Sequence, residues 1–270
     1  MDSCNLSARL QTDPPGVIDA PSSPDPHIVI HVGPSVEIEC KRGGHTHRGV
    51  AIHGDIDIVP AHTTSKWTIR GKDSALIVRV SHTLLAETAQ ESGIDPAKAP
   101  LLNRFQVRDP QIEQLAWALK AEMDSGYESG RLYLDSLGTA VASRLLHRHS
   151  SAPGTKINES KGGLSGAKLR EVLSFVEDNL ASELSLTEVA AVSGLSVSHC
   201  QRAFRQSVGI SIHRYIIRRR VDRAESLLAQ AKLSIAEIAL EVGFSHQSHL
   251  AIHMRRLRGF TPSNRRRIAC

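Results

Sequence analysis

The chain has 270 residues, 40% of them hydrophobic and 23% charged, with a net charge of +5, which suits a soluble globular protein long enough for two domains. No run of roughly 18 apolar residues exists, which argues against a membrane span. The Met1-Asp2-Ser3-Cys4 start lacks the basic-then-apolar order of a secretory signal. Cys4, Cys40, Cys200 and Cys270 show no CxxC spacing, so no zinc motif is suggested and a cytoplasmic setting fits.

The charge is uneven. Residues 161–270 hold 17 Lys and Arg against 9 Asp and Glu, whereas residues 1–160 hold 16 against 19. A basic C-terminal portion joined to a mildly acidic one implies that only the former meets a polyanion.

Residues 1–26 contain Pro14, Pro15, Pro21, Pro24 and Pro26 with little hydrophobic periodicity, and are expected to form a flexible tail. From His27 to about Val80 short β-type runs follow: 27–32, 36–40, 55–59, 67–70 and 75–80. Gly33-Pro34, Gly43-Gly44, Gly54 and Pro60 punctuate them. Several short strands at this spacing predict a small sandwich or barrel. Helical periodicity then takes over. Asp109 is a good N-cap with Pro110 at the first helical position, and Ile112, Leu115, Leu119 and Met123 form a stripe. A turn near Asp124-Ser125-Gly126 leads to a second helix from about Arg131 to His147, striped by Leu134, Leu137, Val141 and Leu145. The two are expected to form an antiparallel hairpin. Residues 150–167 have the Ser, Pro and Gly content of a linker.

Beyond it the chain reads twice through one pattern. Glu188-Val189-Ala190-Ala191-Val192-Ser193-Gly194-Leu195-Ser196 is matched 49 residues later by Glu237-Ile238-Ala239-Leu240-Glu241-Val242-Gly243-Phe244-Ser245. After one inserted residue, Cys200, Phe204, Gly209 and Ser211 match Leu250, Met254, Gly259 and Thr261. The spacing predicts two helix-turn-helix units, at about 186–207 and 235–258, in an all-α domain spanning 168–268. Ser185 and Ser234 are placed to cap the first helix of each unit, and Ser196 and Ser245 the second. Gly194 and Gly243 supply the positive φ of a sharp turn. A helix from about Ser211 to Ala229 joins the units, with Ile217, Val221, Ala224 and Leu228 inward and Arg218, Arg219 and Arg223 on a solvated face.

The second helix of each unit carries the groups suited to base edges. Ser198, Gln201, Arg202 and Arg205 lie away from Cys200 and Phe204. Gln pairs bidentately with adenine and Arg with guanine. In the second unit His246, Gln247, Ser248, Ala251, Ile252 and Arg255 lie away from Leu250, Met254 and Leu257. Ala251 and Ile252 cannot hydrogen-bond a base, although either can touch a thymine methyl. One strong reader and one weaker reader are therefore expected, about one helical turn of DNA apart (roughly 34 Å). Phosphate contacts are assigned to Ser196, Ser245, Arg218, Arg255, Arg256 and Arg265, with Arg258, Arg266 and Arg267 in the same role.

These residues carry a resemblance. Leu186-Thr187-Glu188-Val189-Ala190, Ser193-Gly194-Leu195-Ser196, Gln201-Arg202-Ala203-Phe204-Arg205, Ile235-Ala236-Glu237-Ile238-Ala239, Val242-Gly243-Phe244 and Gly259-Phe260-Thr261-Pro262-Ser263 resemble the DNA-binding domain of the AraC/XylS transcription regulators. The resemblance implies seven helices, and two recognition helices entering successive major-groove segments of double-stranded DNA. Ser198, Gln201 and Arg202 then face bases in the first unit, and Gln247, Ser248, Ala251 and Ile252 in the second. Ile252 departs from the polar residue often found there. Residues 27–149 resemble the cupin-like sensor and dimerisation domains of the same regulators more loosely, in His47-Arg48-Gly49, the run 54–60 and Trp67.

The implied protein is an α+β chain of two domains. It is a transcription regulator of the activating kind, a homodimer contacting RNA polymerase, with room for a small-molecule effector. The alternative is a cupin-type metalloprotein fused to a DNA-binding module. His45 and His47 have the HxH spacing of a metal site, with His53 and His62 near. The Glu that cupin enzymes place downstream is missing between His47 and Gly54. No metal, cofactor or catalytic residue is therefore assigned, and these histidines are expected on the surface or in loops.

Overall fold

Alternation of Ile28 and Ile30 with Val29, and of Leu76, Val78 and Val80 with Ala75 and Ile77, puts apolar side chains on both faces of one sheet. The computed structural model describes residues 5–152, 163–230, 232–258 and 260–269. The chain divides into two units, Met1–Asn158 and Glu159–Cys270.

The described strands of the first unit are β1 (Leu6–Asp13), β2 (Gly16–Ala20), β3 (His27–His31), β4 (Val36–Arg42), β5 (His45–Ala51), β6 (Ile56–Val59), β7 (Ser65–Ile69), β8 (Asp73–Val80) and β9 (Arg104–Val107). They form a five-stranded sheet in the order β1-β8-β3-β6-β9 and a four-stranded sheet in the order β2-β7-β4-β5, with antiparallel pairing throughout. One face of the larger sheet packs on helices α1 (His82–Glu91), α2 (Pro110–Asp124) and α3 (Arg131–His149) through Ile28, Ile58, Val78, Leu84, Ile112 and Leu145. On the other face, Val29 and Ala75 share a small cavity of about 30 Å³ with Ile38 and Trp67 of the smaller sheet. That two-sided burial explains why all of β6, Asp57 included, is buried.

The expectation of a flexible tail over 1–26 is overturned for its described residues, 5–26. β1 pairs with β8 from Leu6↔Val80 to Asp13↔Asp73, and β2 pairs with β7 from Gly16↔Ile69 to Ala20↔Ser65. Pro14 and Pro15 occupy the turn between these strands, and Pro21, Pro24 and Pro26 the connection to β3. Proline here punctuates strands, as its missing N–H requires.

α2 begins where Asp109 accepts hydrogen bonds from the Gln111 and Ile112 amides, with Pro110 at the first position. The same carboxylate receives Arg144 Nε at 2.8 Å and His149 Nε2 at 3.0 Å, both from α3. Burial alone would raise the Asp109 pKa, but His149 and Arg144 outweigh it and hold the carboxyl at about 2. One buried anion thus ties the start of α2 to the end of α3, and the two helices pack on each other. The linker expected at 150–167 falls mostly outside the described residues.

The second unit shows α4 (Gly166–Asp178), α5 (Leu186–Ser193), α6 (Val197–Val208), α7 (Ile212–Gln230), α8 (Ile235–Glu241), α9 (Gln247–Arg258) and α10 (Pro262–Ala269). α7 touches α6 on one side and α8, α9 and α10 on the other. Val221, Ala224 and Leu228 of α7 are buried with Ile238, Ala239, Phe244, Leu250 and Met254. In the other half, Val172, Val189, Cys200 and Phe204 are fully buried, and Phe204 meets Tyr215 edge-on at 5.8 Å.

Candidate nucleic-acid interface

Two helix pairs of one plan, α5–α6 and α8–α9, present the candidate residues. Each opens on a capping box: Ser185 with Glu188, and Ser234 with Glu237. Each turn holds a left-handed glycine, Gly194 at φ 69° and Gly243 at φ 89°. The demands on the two differ. A Cβ on Gly194 would meet nothing within 4 Å, whereas one on Gly243 would lie 2.4 Å from Leu180 O and 2.8 Å from Arg220 Cζ. Arg220 itself donates from Nε to Leu180 O at 2.9 Å and from Nη2 to Ser182 O at 2.7 Å.

The expected caps of the second helices need correction. Ser196 is the N-cap residue of α6, but its side chain makes no capping bond. Ser245 is not at the cap of α9, which begins at Gln247; its Oγ lies 3.3 Å from His246 Nε2 instead. The inserted residue lengthens this turn by one position, so the cap position passes to His246.

α6 buries Cys200, Ala203, Phe204 and Val208 and exposes Ser198, Gln201, Arg202 and Arg205. α9 buries Leu250 and Met254 and exposes Gln247, Ser248, Ile252, Arg255 and Arg256, with Ala251 half-buried. His246, Ser196 and Ser245 are exposed; Arg218 and Arg265 are half-buried. Arg265 holds its guanidinium 5.9 Å from the Phe260 ring. Among the described residues no ion pair engages Arg202, Arg205, Arg255 or Arg256, so these cations face outward uncommitted. Ile252 is 65% exposed, a large apolar group among the exposed polar residues Gln247, Ser248, Arg255 and Arg256 of α9.

Several arginines expected to meet solvent or phosphate are committed internally. Arg219 is buried, with Nε 2.6 Å from Glu177 Oε1 and Nη1 2.9 Å from Asp222 Oδ2. Burial would lower its pKa, but Glu177 and Asp222 outweigh that and raise it. Arg258 pairs with Asp222 and, at 2.7 Å, with Glu225. Arg266 donates to Leu233 O. Arg267 and Gly259 lie outside the residues whose side chains are described. The chain Glu177–Arg219–Asp222–Arg258–Glu225 therefore links α4, α7 and α9, and the anions on α7 neutralise a face that composition alone counts as basic. Sequence reasoning missed it because Glu177 is 42 positions from Arg219.

The histidines of the first unit are scattered in role. His45 is exposed and His47 half-buried, its Nε2 2.5 Å from Gln106 Oε1 and its ring stacked on Phe105. His62 is exposed in a turn. His53 lies in a turn, within the expectation of surface or loop, yet is buried and stacks on Trp117 at 5.4 Å; its strand-edge loop lies under α2. Among the described residues, no three His, Cys, Asp or Glu side chains gather as metal ligands. No described helix is long and apolar enough to cross a membrane.

A basic helical unit with exposed Gln and Arg on a helix that follows a left-handed glycine turn defines a helix-turn-helix protein. The profile of the helix-turn-helix domain family matches residues 179–268. Transcriptional activator AarP of Providencia stuartii is 37% identical over 95 residues, covering 35% of this chain and 70% of AarP. Activator RhaS of Enterobacter sp. (strain 638) is 29% identical over 152 residues, 56% of this chain and 52% of RhaS. The match to the probable regulator LumQ of Photobacterium leiognathi spans only 36% of that protein. An AraC-type regulator structure from Chromobacterium violaceum aligns at 33% identity over 38% of this chain and 93% of that one, with a TM-score of 0.37. The chain belongs to the AraC family of helix-turn-helix transcription regulators.

Proposed function

We propose that this protein is a sequence-specific activator of transcription in which α5–α6 and α8–α9 form two helix-turn-helix units reading double-stranded DNA. The observation that carries the reading is the outward face of α6. Ser198, Gln201, Arg202 and Arg205 are exposed on a helix anchored by fully buried Cys200 and Phe204, and these are the side chains suited to base edges. Ser198, Gln201, Arg202 and Arg205 read bases in the first unit, and His246, Gln247, Ser248, Ala251 and Ile252 in the second. Ser196, Ser245, Arg218, Arg255, Arg256 and Arg265 hold phosphates.

The double-sheet unit, extended to include β1 and β2, acts as a cupin-like sensor and dimerisation domain, joined by residues 150–167 to a DNA-binding domain over 168–268. Support for homodimerisation through α2 and α3 comes from three exposed side chains, Tyr127 in the turn between these helices and Leu132 and Tyr133 at the start of α3, Leu132 by 81%. An effector would act by linkage: a ligand preferring one arrangement of the first unit shifts the protein toward its DNA-competent state. Contact with RNA polymerase completes the activating role, which the activator names of AarP and RhaS favour.

In vitro selection from random duplexes with the full chain tests the reading. An enriched motif with two elements about one helical turn apart (~34 Å) is expected. Recovery of no motif, with a steep salt dependence on every duplex, would make the protein a sequence-indifferent binder.

A further inference from the structure

Beside the residues proposed to read DNA, α9 carries two histidines to which that proposal gives no role. His249 and His253 are four residues apart, the spacing that stacks two side chains on one helix face. Their Nε2 atoms are 3.1 Å apart, with ring centroids at 4.8 Å and planes tilted by 53°. Phe244 braces both rings, meeting His249 edge-on at 5.3 Å and stacking on His253 at 5.8 Å. His249 is exposed and His253 half-buried, so the pair is held from below and reachable from solvent.

The separation suits metal ligation. Zinc–nitrogen bonds of about 2.0–2.1 Å in tetrahedral geometry put two ligand nitrogens about 3.3–3.4 Å apart. Cis ligands of an octahedral ion with bonds of about the same length sit about 2.9 Å apart. The observed 3.1 Å lies between. We propose that His249 and His253 form a two-imidazole chelate for a divalent transition-metal ion of the zinc, nickel or copper class.

Without the ion, the same distance suits one N–H···N hydrogen bond. On binding, the donating ring moves its proton from Nε2 to Nδ1 through solvent, and both Nε2 lone pairs face the metal. No proton is gained or lost overall. Because no third side chain joins the pair among the described residues, water fills the other positions, and the affinity is that of an open chelate, below that of a closed structural site. The first helix pair has no counterpart: His199 and Ala203 stand at the matching positions, and Ala203 is buried.

Titration of the full chain with NiCl2, in the absence of DNA and followed by calorimetry, tests the chelate independently of the DNA-reading role. Wild type is expected to bind one more equivalent than His249→Ala, and His199→Ala to match wild type. His249 is exposed, so its replacement opens no cavity, and circular dichroism checks the fold. His253→Gln, which keeps most of the volume against Phe244, is the second variant and should lose the same equivalent. Unchanged stoichiometry and affinity in the folded His249→Ala and His253→Gln proteins would overturn the proposal, as would a wild type that binds no nickel.

Discussion

The two helix pairs share a scaffold and differ in what they offer outward. Capping boxes, turn glycines and inward side chains recur, with Cys200 and Phe204 answered by Leu250 and Met254. On the outward faces the correspondence fails: Gln201 and Arg202 of α6 match Ala251 and Ile252 of α9 in the repeat. The repeated positions are those that packing demands, since a change there opens a cavity or strains a turn. The unrepeated ones, half-buried Ala251 apart, are exposed and free of packing. Under the proposed function, the contrast assigns a division of labour, with α6 discriminating among bases and α9 mainly docking.

The comparison can be broken at several points. The largest effect is expected from Arg219→Ala, which strips the buried Glu177 carboxylate of its arginine and takes one arginine from Asp222, which keeps Arg258. Removing one partner of a buried pair costs about 3–5 kcal/mol, so urea denaturation should show a large loss of stability. A loss under about 1 kcal/mol would mean that the pair is no better than a surface one. Next comes the glycine contrast. Gly194→Ala meets open space and should cost about 1–2 kcal/mol for the left-handed backbone alone. Gly243→Ala must also displace Leu180 or Arg220 and should cost clearly more. Equal losses in chemical denaturation would show that the second turn adapts.

Smaller effects concern reading. Arg202→Ala should weaken binding to the preferred site by about 1–3 kcal/mol and relax discrimination at one position. Uniform weakening on all duplexes, seen in competitive mobility shifts, would assign Arg202 to phosphate. Ile252→Ala is expected to cost under about 1 kcal/mol, the scale of one apolar contact. The loss should shrink when thymines facing α9 are replaced by deoxyuridine, which lacks the methyl. A loss that ignores the methyl would place Ile252 away from the base edges.

What could be read in advance follows the range of the forces involved. The N-caps at Ser185, Ser234 and Asp109 and the glycine turns were legible because each is closed within about three residues along the chain. The buried stripes of α2, α3 and α7 were legible because periodicity reports the face toward the core. Arg219 was not, because a charged residue next to an apolar stripe looks solvated until its partner Glu177, on another helix, is known. β1 and β2 were hidden by their prolines, which mark the ends of strands as well as disorder. The strand His45–Ala51 lacks a hydrophobic alternation, and the β1–β8 and β6–β9 pairings span distances no local pattern encodes. On the outward faces, exposure was foreseen except at half-buried Ala251, and the shifted start of α9 was not foreseen, since one inserted residue moves the cap from Ser245 to His246.

The unequal roles of α6 and α9 are tested most directly by measuring binding of the full chain to every single-base variant of its selected site at one salt concentration. Penalties of about 1–3 kcal/mol per mismatch should gather in the half-site facing α6, with shallow penalties in the half facing α9. Equal penalties in both halves, or the steeper set facing α9, would contradict the division of labour.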